Sequence, residues 1–190
     1  MANRTPNIWY RMVAYPTAAA AIWGTTFPAH KDPPLLVEEG KKWPLVLFSH
    51  GVGCSRLMYS AFCGELASRG YVVAALEHRD GTSPSSLITS SDGTVKRIDW
   101  LQWSDLYWPD LEVQPTNDTT LRHEQIKMRV AEMTETVRAL DKLANGVASP
   151  SPKLDFERWK HLDTSETIMT GHSLGGAAAV SPHILITCFY

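Results

Sequence analysis

Hydrophobic positions along this chain gather into a few short apolar runs and one long amphipathic stretch, with irregular segments between them. Residues 44–48 are nearly continuously apolar, the pattern of a strand covered on both faces. From Ser55 to Arg69 the apolar residues Leu57, Met58, Phe62, Leu66 and Ala67 fall at roughly helical spacing, and Gly70 supplies the stop. Residues 71–76 form a second buried-strand candidate. Strand, helix and strand with short connections predict a βαβ unit and a mostly parallel sheet, hence an α/β fold. The clearest helix covers residues 121–143, where Ile126, Val130, Met133, Val137, Leu140 and Leu143 recur at three and four with charged residues between. A looser stretch then leads to Thr167–Thr170, a short β-favouring segment that runs straight into Gly171.

Two segments show no such period. Residues 1–42 read as an irregular, proline-punctuated lead-in, and residues 81–120 as a long surface excursion rich in Ser, Thr, Asp, Gly and Trp. Trp100, Trp103, Tyr107 and Trp108 give that excursion unusual aromatic weight. Two readings stand for it: a cap facing lipid or substrate, or aromatics packed on the domain flank. Ile8, Trp9, Tyr10, Trp23 and Phe27 leave a similar choice between resting on a membrane surface and partial burial.

Length and composition narrow the class. A chain of 190 residues suits a single domain, and 44% apolar with 20% charged residues is the make-up of a soluble globular protein. A formal charge of −2 with scattered Lys and Arg gives no footprint for nucleic acid. Cys54, Cys63 and Cys188 form no closed disulfide framework and sit at no metal-ligand spacing. With no secretory leader pattern and no run of ~18 apolar residues, a reducing, cytoplasmic setting is the expectation.

The chemistry concentrates in Gly171-His172-Ser173-Leu174-Gly175, which fits the nucleophile elbow, Gly-x-Ser-x-Gly. A serine on a sharp strand-to-helix turn is held in a strained backbone, so small residues two places either side prevent clashes. Gly176 and the alanines at 177–179 suit a helix start packed close to a sheet. Ser173 is therefore the candidate nucleophile. The tetrahedral intermediate of acyl transfer needs two backbone donors for its oxyanion. Leu174, after the nucleophile, supplies one. The other is assigned to Val52, in Ser49-His50-Gly51-Val52-Gly53 after the first strand. His50 reads as a structural histidine, and the loop lacks the third glycine of a dinucleotide fingerprint.

Four blocks in order resemble the platelet-activating factor acetylhydrolases: residues 44–53, residues 66–80, Arg122-His123-Glu124-Gln125 and residues 171–176. The resemblance spans roughly residues 43–178 and is not evident in the first forty. It implies an α/β-hydrolase fold and hydrolysis of acetyl, short or oxidised acyl esters at the sn-2 position of phospholipids, with no metal or other cofactor. The nucleophile maps onto Ser173 and the oxyanion donors onto Val52 and Leu174. Glu77-His78-Arg79-Asp80 matches a block taken as a structural charge network below the site.

In α/β-hydrolases the acid and the histidine follow the serine in the chain. After Ser173 there is no Asp or Glu, and only His183. The expectation is thus an incomplete, C-terminally truncated hydrolase domain that is inactive alone, with residues 181–190 the product of altered splicing or a misplaced gene end. The strand before Ser173 would then be an open sheet edge that invites self-association. A catalytically dead lipid- or protein-binding fragment is the alternative, and a dyad rebuilt from His50 or His183 is a third reading.

Overall fold

The computed structural model describes residues 8–90, 92–147 and 156–181. Two units divide the chain, Met1–Lys31 and Asp32–Tyr190. In the first unit a helix, α1 (Ile8–Ile22), occupies ground read from sequence as irregular lead-in. Pro16 lies inside it and costs it one backbone donor. Four successive alanines at 18–21, the best helix formers, follow at once, and Thr17 Oγ1 donates to the Val13 carbonyl at 2.8 Å. Propensity rather than an amphipathic stripe accounts for this helix. Trp23 and Phe27 are exposed; the side chains of Ile8, Trp9 and Tyr10 lie outside those described.

The second unit is built on a parallel sheet of β1 (Trp43–Ser49), β2 (Val72–Ala75) and β5 (Leu162–Gly171), in the order β2-β1-β5. A 3-10 turn, Arg56–Tyr59, and α2 (Ser60–Ser68) carry the chain from β1 to β2. The long α3 (Thr119–Ala144) and the short α4 (Phe156–Trp159) precede β5, and α5 (Leu174–Ala179) follows it. Leu45, Val46, Leu47 and Phe48 are all buried, as a strand with helices on both sides requires. Leu47 points to one face, where it joins Met133 of α3 and Ala178 and Ala179 of α5 in the core. Phe48 points to the other, its ring 4.7 Å from that of Tyr59 and 5.5 Å from that of Phe62.

Three elements depart from the pattern-based expectation. The final strand begins at Leu162, but its register against β1 slips between Pro44 and Val46. The polar segment Thr164-Ser165-Glu166 takes up the slack, so only the regular second half was visible as apolar periodicity. The excursion at 81–120 contains an antiparallel hairpin, β3 (Ser85–Thr89) paired with β4 (Val95–Asp99). Its strands are mostly exposed and polar, which removes the alternation that marks a half-buried strand. Finally, Leu57, Met58 and Phe62 are exposed although their spacing suggests a packed face. Among the described residues no helix is long and apolar enough to cross a membrane.

Candidate active site

Ser173 sits where β5 ends and α5 begins, with φ 54° and ψ −121°. An L-residue occupies that region only when its surroundings enforce it, and here backbone crowding does so. A Cβ on Gly175 would fall 2.1 Å from the Ser49 carbonyl oxygen, and one on Gly171 would fall 2.5 Å from the Gly175 carbonyl carbon. Both glycines of the motif are thus required by contact between β1, β5 and α5. The His172 N–H donates to the Ser49 carbonyl at 3.1 Å, locking the bend to the end of β1. Ser173 is exposed, and among the described residues no imidazole or carboxylate hydrogen-bonds its Oγ.

The loop after β1 lies against this bend. A Cβ on Gly51 would be 2.9 Å from His172 Nδ1 and 3.3 Å from Ser173 Cβ. The N–H groups of Val52 and Leu174 have no acceptor among the described residues. Trp100, after β4, stands beside this loop: a Cβ added at Gly53 would meet Trp100 Cζ3 at 3.8 Å. The aromatic excursion therefore comes near the candidate oxyanion loop at that residue.

Beneath the bend lies a buried polar network. Arg129 of α3, fully buried, donates from Nε to Asp80 Oδ2 at 2.6 Å and from Nη2 to Thr82 Oγ1 at 2.6 Å, and also bonds the His50 carbonyl through Nη1. Burial pushes the Asp80 carboxyl up, but the Arg129 charge and the bonds from Arg129 and Thr82 outweigh it and leave its pKa below the ordinary range. His78 Nδ1 lies 2.7 Å from Glu132 Oε2, and His78 Nε2 lies 2.7 Å from Ser49 Oγ. His50 is buried and committed: Nε2 accepts the His78 N–H at 3.3 Å, and Nδ1 is 2.9 Å from the Gly51 carbonyl. Burial above all pushes its pKa down. It is unavailable as a base for Ser173, and His183 lies outside the described residues. Among the described residues no cluster of His, Cys, Asp and Glu could hold a metal ion.

The family model described as platelet-activating factor acetylhydrolase, isoform II, matches residues 10–187. The chain belongs to the platelet-activating factor acetylhydrolase family. Its fold is accordingly the α/β-hydrolase fold. The chain is similar to platelet-activating factor acetylhydrolases of Gallus gallus, 33% identical over 74% of this chain and 35% of that protein, and of Canis lupus familiaris, 34% identical over 82% and 34%. The Bos taurus protein of the same name is 35% identical over 74% and 32%. The chain thus spans about a third of the length of these curated relatives. The match starts within α1 and ends at 187, so the likeness to the family reaches further both ways than residues 43–178.

Within this family member, the block Glu77-His78-Arg79-Asp80 does form a charge network, and the sequence reading missed its partners. Gln125, Arg129 and Met133 line up at i, i+4 and i+8 on α3 and are all buried. The apolar stripe of the same helix included Met133 but drew attention to Ile126 and Val130 in place of Gln125 and Arg129. A buried Arg at helical spacing from a buried Gln was the available signal, but it looks like any solvated face until a partner such as Asp80 is known. Tyr59 gave no signal at all.

Proposed function

We propose that Ser173 is the nucleophile of a serine esterase that acts on the sn-2 acetyl, short or oxidised acyl ester of phospholipids. The observation that carries the reading is the exposed Ser173 held at φ 54° between strand and helix by glycines that no larger residue can replace. The names of the relatives supply the substrate class. In the reaction Ser173 Oγ attacks the ester carbonyl carbon and gives up its proton to a general base, which no described residue supplies and which returns that proton to the leaving oxygen. The carbonyl oxygen becomes an oxyanion that accepts the N–H groups of Val52 and Leu174. Collapse expels the lysophospholipid oxygen, which takes up a proton. Water then cleaves the acyl-enzyme, releasing the carboxylic acid and restoring the Ser173 hydroxyl.

A second reading, a catalytically silent lipid- or protein-binding product, is favoured by one observation: no base reaches Ser173 Oγ among the described residues. A fluorophosphonate probe separates the two. Rapid labelling that Ser173→Ala abolishes, with turnover of sn-2 acetyl over long-chain phospholipid, supports the esterase; absence of labelling supports the silent product. The exposed Leu57, Met58 and Phe62 share a segment with Tyr59, whose hydroxyl reaches the bend, and suit a phospholipid surface. Vesicle co-sedimentation weakened by Leu57→Asp tests this. Self-association through β5 is supported by its place at the edge of the sheet that the described residues form and by the exposed Ile168; a monomeric mass by light scattering would overturn it.

A further inference from the structure

Tyr59 stands outside both motifs, at the end of the 3-10 turn that precedes α2. Its hydroxyl oxygen accepts the Gly51 N–H at 3.3 Å and lies 2.9 Å from His172 Nδ1. Gly51 immediately precedes Val52, and His172 immediately precedes Ser173. One phenol oxygen therefore joins the two segments whose N–H groups are assigned to the oxyanion. The joint is tight, because a Cβ on Gly51 would lie 3.3 Å from the same hydroxyl oxygen.

The hydroxyl is fixed at both ends. Its ring is wedged between Phe48, 4.7 Å away, and His172, 5.8 Å away between centroids. The turn that carries it is held by Glu77, whose carboxylate accepts the Arg56 N–H at 3.0 Å and the Ser83 hydroxyl at 2.5 Å. Burial, with the Cys54 thiol beside it, pushes the Tyr59 pKa up, so the oxygen keeps its hydrogen. While the oxygen accepts from Gly51, its hydrogen is free to go to His172 Nδ1 in the tautomer that carries the ring proton on Nε2.

We propose that Tyr59 is a positioning residue whose hydroxyl clamps the Gly51–Val52 peptide to the nucleophile bend, so that the Val52 and Leu174 donors converge on one oxyanion. The clamp rests on the assignment of Ser173 as nucleophile and touches no substrate. Oxyanion donors work only within a few tenths of an ångström of their target, and a displacement of about 1 Å costs on the order of 100-fold.

Tyr59→Phe keeps the ring and deletes the hydroxyl. On the full chain, the rate of fluorophosphonate labelling and kcat for an sn-2 acetyl phospholipid are expected to fall about 10- to 100-fold, with KM unchanged. His172→Ala acts on the same joint, so the double variant should lose no more than the worse single one. Histidine-directed ¹⁵N spectra give a readout independent of turnover: the His172 Nδ1 resonance should move downfield in Tyr59→Phe. Labelling within twofold of the parent, strictly additive losses, an unmoved Nδ1 resonance, or a loss of labelling matched by a loss of cooperative unfolding would each overturn the clamp. If the parent chain itself is not labelled, the esterase reading fails, and the Nδ1 resonance alone decides whether the joint exists.

Discussion

Ser49 ends β1, and Ser173 stands just past the end of β5, the strand beside it; the Ser49 carbonyl accepts the N–H of His172, the residue before Ser173. Their surroundings are opposite. Ser49 has a complete serine–histidine–carboxylate chain, with 2.7 Å from Oγ to His78 Nε2 and 2.7 Å from His78 Nδ1 to Glu132. It is nevertheless 0% exposed and set in a regular strand. Ser173 is exposed and strained, with no such chain among the described residues. Hydrogen-bond partners alone do not make a nucleophile. Substrate must reach the oxygen, and free N–H groups must wait for the oxyanion. Ser49 is closed to substrate. The chain at Ser49 instead anchors the strand end against which Gly171, His172 and Gly175 press, which is what a bend holding ~1–3 kcal/mol of local strain needs.

The largest test of this contrast exchanges the two hydroxyls for hydrogen. Ser173→Ala should lower ester turnover by about 10⁴-fold or more, whereas Ser49→Ala should leave probe attachment on Ser173. Peptide mapping that found the probe on Ser49 would break the comparison. Removing the centre of the buried network comes next. Arg129→Ala leaves Asp80 without its partner and should cost about 3–5 kcal/mol, read from urea unfolding; a loss under 1 kcal/mol would mean that water or a rearranged Thr82 replaces the guanidinium. Gly175→Ala follows at about 3 kcal/mol, the upper end for overpacking, because the added carbon meets Ser49 and His50 backbone rather than a flexible side chain. Probe labelling should fall with it.

How much of this could be read from the chain itself differs between the two serines. The Ser173 bend was legible because its constraint is local: the glycines at 171 and 175 announce a backbone contact whatever lies opposite. The parallel sheet was legible for a similar reason, since Leu45 to Phe48 must be covered on both faces. The Ser49 network was hidden, because His78 meets Glu132 across 54 positions and Arg129 meets Asp80 across 49. No periodicity links residues that only the tertiary fold brings together. The hairpin at β3 and β4 was hidden by exposure, and α1 by the proline in its middle. Tyr59 needed both Gly51 and His172 in place before its hydroxyl meant anything.

The smallest effect concerns charge in the buried chain and is read from pH. Glu132 accepts His78 Nδ1–H and, at 2.8 Å, Arg79 Nε–H. Burial pushes its carboxyl up, but those bonds and the Arg79 charge outweigh burial, so its pKa is lower in the folded protein than the ordinary ~4.3. A depressed folded value means that the unfolded chain binds the proton more tightly. The stabilisation from Glu132 is therefore complete above the ordinary value and drains away as pH falls through the folded one. Glu132→Gln keeps the shape and removes the charge. It should cost about 1 kcal/mol near pH 7, and the gap between its urea midpoint and that of the parent should close as the medium is taken below pH ~4. Asp80 and Glu77, also depressed, stay in both proteins and contribute to the common acid slope that remains. Parallel midpoint curves from neutral to acid pH would show that Glu132 holds His78 by shape alone, and the chain at Ser49 would then be a packing device without electrostatic character.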